Sequence, residues 1–177
     1  MTIYLFPDNT VLCNFASVDA LPLLEKVLEG RGRWVEAIAF EAHRSARVLP
    51  ALARIPLEGW LGEPIEVSEP HDVEQIERVR RAVFGGRADE PLRHLGEAQT
   101  CHVIQRWPEF EGSLWLSDDR EALRFARHAG IPTRDTTDLV GEAVTGGYVQ
   151  RRDGYLLLQL MRVAGRHVRL PSHQARL

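Results

Sequence analysis

Ile3-Tyr-Leu-Phe6-Pro7-Asp8-Asn9 is the stretch on which the fold turns. Ile3 to Phe6 is a short apolar run, and Pro7-Asp8-Asn9 ends it, so it reads as a buried strand delivering Asp8 to its carboxyl end. Downstream, Phe15 to Leu28 carries apolar residues at helical spacing and closes at Gly30. Trp34-Val35 reads as a second short strand, and Glu36 to Arg54 as helix broken by Pro50. Ile55 to Pro70 is rich in Pro, Gly and Glu and reads as a connection, with Ile65-Glu-Val67 a further strand.

The pattern predicts a helix from Asp72, as N-cap, to Phe84, with Val73, Ile76, Val79, Arg80 and Val83 on one stripe, stopped by Gly85-Gly86. Leu95 to Trp107 reads as helix, Ser113 to Ser117 as an apolar strand ending in Asp118-Asp119, and Glu121 to His128 as helix closed by Gly130. Ile131-Pro-Thr133 starts another strand, followed by helices near Thr137 to Val144 and Asp153 to Val163. Strand–helix alternation of this kind predicts an α/β domain with a mostly parallel sheet. Function in such sheets gathers at the carboxyl ends of the strands.

The composition, 44% hydrophobic and 27% charged over 177 residues, suits one globular domain. A net charge of -3 gives no global polyanion signature, so nucleic-acid contact would need a local basic patch. Lys26 is the sole lysine among 22 basic side chains. The arginines suit bidentate phosphate contact, although codon bias gives the same count. Cys13 and Cys101 are too few for a disulfide framework and read as small buried hydrophobes, with His102, next to Cys101, structural rather than metal-binding. The start, Met1 to Phe6, has no basic region of a signal peptide, and no apolar run is long enough to span a bilayer. A cytoplasmic protein is the expectation.

Acids occupy telling places. Asp8 and the Asp118-Asp119 pair stand at strand ends, while Glu41 and Glu97 sit on helix faces that are otherwise apolar. Such acids are costly unless paired or metal-bound, and several meeting in one place call for a hard cation such as Mg²⁺ or Mn²⁺. One or two such ions can activate water against a phosphodiester.

The run Phe6-Pro-Asp8-Asn-Thr-Val-Leu-Cys-Asn-Phe15 resembles the opening of PIN domains. Glu41, then Gly96-Glu97-Ala98, then Leu116-Ser-Asp-Asp-Arg120 followed by a helix and Gly130-Ile131, match the family's remaining acidic positions in order. The likeness spans about residues 2 to 140. It implies a three-layer α/β/α sandwich, an acidic Mg²⁺ or Mn²⁺ pocket and endoribonuclease activity. It also implies similarity to VapC-type toxins, commonly dimeric and held inactive by a protein antitoxin. Carried over by position, Asp8, Glu41, Glu97 and one of Asp118 and Asp119 would be metal ligands or water activators. Asp119 is preferred because Ser117-x-Asp119 fits the family's Ser/Thr-x-Asp pattern. Asn9, Thr10 and Ser117 would hydrogen-bond these ligands. Residues 1–145 would form the nuclease domain, and 146–177 a helical, basic extension packed on it.

Arg44 and Arg47 follow Glu41, and Arg120, Arg124 and Arg127 share one helix face after the Asp pair, where they could grip RNA phosphates. Trp34, Trp60, Trp107 and Trp115 read as core residues in preference to stacking platforms. Two other readings stay open: a PIN-like binding module without catalysis, and a flavodoxin-like regulator using Asp8 and Asp118, for which no suitable Thr/Ser and Lys pair is present.

Overall fold

The computed structural model describes residues 2–177. Strand β1, Leu5–Pro7, is buried along its whole length. It pairs in parallel with β2, Leu114–Leu116, in the register Leu5↔Leu114, Phe6↔Trp115, Pro7↔Leu116, and β2 pairs in parallel with β3, Thr133–Arg134. The Asp8 N–H donates to Leu116 O at 2.8 Å, carrying the ladder one residue beyond β1. The expected strand at Trp34-Val35 is reduced to two isolated parallel bridges, Leu5↔Gly32 and Val35↔Ile65, because this segment changes neighbour within three residues. Its first bridge depends on Gly32, where a Cβ would meet Leu61 Cδ2 at 2.6 Å and Leu28 Cδ1 at 3.0 Å. β1 thus has parallel neighbours on both sides, which places Asp8 well inside the row of strand ends.

The helix expected over Phe15–Leu28 is two helices, α1 at Asn9–Ala16 and α2 at Leu21–Leu28. Asp19 takes a left-handed backbone (φ 53°) at the break, and Pro22, which lacks an N–H and clashes with the preceding turn, sits in the first turn of α2. Helix α3 spans Glu36–Ser45, and a 3₁₀ turn at Pro50–Arg54 leads into a single helical turn, α4, Ile55–Glu58, where only a connection was expected. Burial of Leu52 and Ile55 in the core anchors that turn.

Helix α5, Pro70–Ala82, begins at Glu69 with Pro70 in its first turn, not at Asp72. Its expected stripe is also corrected: Ile76 and Arg80 are buried, whereas Val73 and Val83 are nearly half exposed. Then come α6, Leu95–Arg106, α7, Arg120–His128, α8, Thr136–Thr145, and α9, Arg151–Val163. A capping box between Asp135 and Asp138 starts α8.

The helices pack serially, α5 on α6, α6 on α3, α3 on α1, then α2 on α8 and α8 on α9, with α1, α6, α7 and α8 against the strands. Trp115 is fully buried in the middle strand, with Phe84 edge-on to it at 6.5 Å. Trp34 and Trp60 are core residues too, and the part-buried Trp107 stacks on Phe110, as expected of all four. Cys13, Cys101 and His102 are buried, and both thiols are free. His102 Nε2 approaches Asp72 Oδ1 to 3.1 Å. Among the described residues no helix is long and apolar enough to cross a membrane.

Candidate functional site

Three carboxylates from three elements, Asp8, Glu41 and Glu97, lie within electrostatic reach of one another near the carboxyl end of β1. Asp8 directly follows the strand in extended backbone and occupies the N-cap position of α1, yet its side chain makes no capping bond. Instead Oδ2 accepts from Ser117 Oγ at 2.9 Å and Thr10 Oγ1 at 3.2 Å. Only 5% of Asp8 is exposed. Burial, then the charge of Glu97, lifts its pKa to about 6 against the opposing hydroxyls of Ser117 and Thr10. Glu41, on α3, is driven further, to about 8, by burial and then by the charges of Asp8 and Glu97, with Arg44 opposing. Glu97 lies in the first turn of α6, its Oε1 3.0 Å from His94 Nδ1.

Gly96 is the reason α3 and α6 can bring their acids together. A Cβ there would overlap Ile38 Cδ1 at 2.4 Å and stand 3.2 Å from Glu41 Oε1, so any larger residue would have to displace a buried side chain. The fragment Gly96-Glu97-Ala98 was notable for its acid; its glycine sets the geometry.

The Asp118-Asp119 pair divides in two. Asp119 is the N-cap of α7, with Oδ1 accepting from the N–H groups of Glu121 (2.7 Å) and Ala122 (2.9 Å). Asp118 accepts from Asn14 Nδ2 at 2.9 Å, from the Thr136 N–H at 3.3 Å and from the Thr136 hydroxyl. Burial raises its pKa, opposed by Thr136, and the charged neighbour it feels is Asp135. Asn14 is itself buried and accepts from Arg166 Nε at 2.8 Å, which ties the segment after α9 to this corner. Asn14 and Thr136 were not singled out from the sequence, and Arg166 was read only as part of a basic tail. For Asn14 a signal existed, a lone amide inside the apolar run Val11 to Ala16.

Of the three residues expected to support the acids, Thr10 and Ser117 bind Asp8. Asn9 turns away, its Nδ2 donating to Ser45 Oγ at 3.2 Å. Two clefts open beside the acids. One, of about 920 Å³, runs between α3 and the start of α6 and is lined by Phe40, Glu41, Arg44, Leu92, His94 and Glu97 among others. The second, of about 400 Å³, reaches Asn9, Ser45 and Arg47. Glu41 and Arg44 line both and form the ridge between them. Arg120, Arg124 and Arg127 are exposed on α7 and line neither.

Among the described residues, no three His, Cys, Asp or Glu side chains are arranged as ligands of one metal ion. The donor set is nonetheless of the oxygen type that a hard divalent cation takes: Asp8, Glu41 and Asp118 make no ion pair among the described residues, and burial and acidic neighbours raise the pKa of the first two to about 6 and about 8. No family model, no curated protein and no solved structure matches this chain.

Proposed function

We propose that the protein is a Mg²⁺- or Mn²⁺-dependent endoribonuclease of the PIN type, with a three-layer α/β/α arrangement. The observation that supports this reading is the crowding of Asp8, Glu41 and Glu97, buried or half-buried acids from three elements with, among the described residues, no arginine or lysine ion-paired to them. Repulsion between them is what a divalent ion relieves.

When bound there, the ion would supply Lewis-acid polarisation of the scissile phosphate and a more acidic water. The protein's own groups do the rest. Ser117 and Thr10 hold Asp8 by one oxygen and leave the other for the ligand. Glu41, whose pKa burial and its acidic neighbours raise to about 8 in the metal-free protein, would give up that proton as the ion neutralises those neighbours, and would then serve as a ligand or orient the water. Arg44, on the ridge beside it, would grip the phosphate bidentately. Asp118, part-buried and joined to α1 through Asn14, fits the fourth acidic position better than the exposed Asp119, which caps α7.

By the same reading the chain is a cytoplasmic, homodimeric toxin of a toxin–antitoxin pair, whose protein antitoxin covers the clefts. The test is cleavage of structured RNA by purified protein with Mn²⁺. Cleavage that disappears in Asp8→Ala is expected, and undiminished cleavage in that variant would defeat the proposal. The lack of a ready-made ligand triad favours one alternative, a PIN-like binding module without catalysis. Calorimetric titration with Mn²⁺ separates the two, because a pure scaffold takes up no ion stoichiometrically.

A further inference from the structure

The loop between α5 and α6 is organised around one buried cation. Arg80 donates Nε and Nη2 to the Glu77 carboxylate at 2.6 and 2.9 Å. Its Nη1 and Nη2 also reach the backbone carbonyls of Glu90, Arg93 and Arg87, each at 3.1 Å. Gly86 is where the loop passes closest, since a Cβ there would lie 2.9 Å from Arg80 Cγ and 3.0 Å from its carbonyl oxygen.

So restrained, the loop delivers His94 to the start of α6 in the left-handed region, φ 60° and ψ 17°. That region is uncommon for a residue with a Cβ, with Asn, Asp and His the more tolerant ones. In this conformation the imidazole stacks on the buried Phe84, with ring centroids 6.2 Å apart and planes 25° apart. Nε2 accepts from Arg93 Nε at 3.3 Å, and Nδ1 lies 3.0 Å from Glu97 Oε1. A neutral ring that accepts at Nε2 donates from Nδ1, so the two contacts select one tautomer. Among the described residues no protein donor reaches Glu97 Oε2.

We propose that His94 is a positioning residue, whose Nδ1–H fixes Glu97 Oε1 and leaves Oε2 turned to a ligand shared with Asp8 and Glu41. That the ligand is a divalent cation rests on the ribonuclease reading; the His94–Glu97 contact does not. His94→Gly removes the ring while keeping the left-handed backbone at no steric cost. In calorimetry with MnCl₂ it should bind about 10- to 100-fold more weakly than the wild type, with an unchanged circular dichroism spectrum. His94→Asn, which tolerates this backbone and brings an amide donor, should recover part of the loss. Wild-type Mn²⁺ affinity in His94→Gly would overturn the proposal.

Long-range ¹H–¹⁵N correlation at pH 8 reads the ring directly, with no metal present. The Nδ1–H tautomer is expected in the wild type, and its loss in Glu97→Ala. An Nε2–H ring in the wild type would overturn the proposal whatever the activity. Absence of Mn²⁺ uptake by the wild type would instead sink the ribonuclease reading, and the tautomer alone would then decide for or against the contact.

Discussion

Glu41 offers the sharpest consequence at the level of single residues. Its folded pKa of about 8 lies above the ordinary 4.5, and that of Asp8, about 6, above 3.8. The folded protein therefore binds more protons than the unfolded chain between those limits, and the stability from these two groups is complete only below about 3.8 and 4.5, declines as pH rises, and is gone above about 6 and 8. The metal-free protein should show a thermal midpoint that falls from pH 5 to pH 8.5. Glu41→Gln should flatten most of that fall, because an amide needs no proton to be buried among acids. A wild-type profile as flat as the variant's would mean that the three carboxylates do not crowd one another. Asp8 was legible in the sequence because a strand, a proline and an acid follow each other in seven residues. The separate duties of Asp118 and Asp119 were not, since both residues fit a strand end and only the start of α7 tells them apart.

Contacts between elements depend on residues that carry no chemistry of their own. Gly96 lets α6 approach α3, and an alanine there would press into Ile38, which is fully buried and has little room to yield. Gly96→Ala should cost about 1–2 kcal/mol net in urea denaturation, overpacking outweighing alanine's better helix propensity. Ile38→Val in the same chain removes the clashing methyl and should return about half of that loss; no recovery would show that the methyl is not the obstacle. Periodicity located most helices because amphipathic spacing is local. It placed Arg80 on the buried stripe without showing what satisfies it, and put the exposed Val73 and Val83 there too, for the same reason: what receives Arg80 is a set of carbonyls between Arg87 and Arg93, beyond the end of α5. The break before α2 was written in Pro22, but apolar spacing on both sides concealed it.

Across the whole molecule the chain's last residues return to its first. Arg166 holds Asn14 of α1, Arg169 pairs with Asp135 and Asp138 at the start of α8, and Val168 is buried. Deleting residues 165–177 should destabilise the fold by about 3 kcal/mol, summing one buried valine, a few hydrogen bonds and weak exposed ion pairs. A urea midpoint unchanged by the deletion would mean the segment merely rests on the surface. The parallel α/β plan was readable because alternating strand and helix leaves few ways to close a core. The clefts and the closing segment were not, since each joins residues far beyond the reach of local periodicity: Glu36 to Glu97 in the larger cleft, and Arg166 with Asn14, 152 positions apart, in the closing segment.

Cys13 and Cys101 give this architecture a built-in clock. Both thiols are buried and ionise less readily than free cysteine, through burial first, and both feel the charge of Asp8. A thiol-reactive dye can label them only when the surrounding helices part, so the labelling rate counts spontaneous openings around the acids. Saturating Mn²⁺ should slow that rate if the ion seats among Asp8, Glu41 and Glu97, and would leave it untouched if it binds elsewhere.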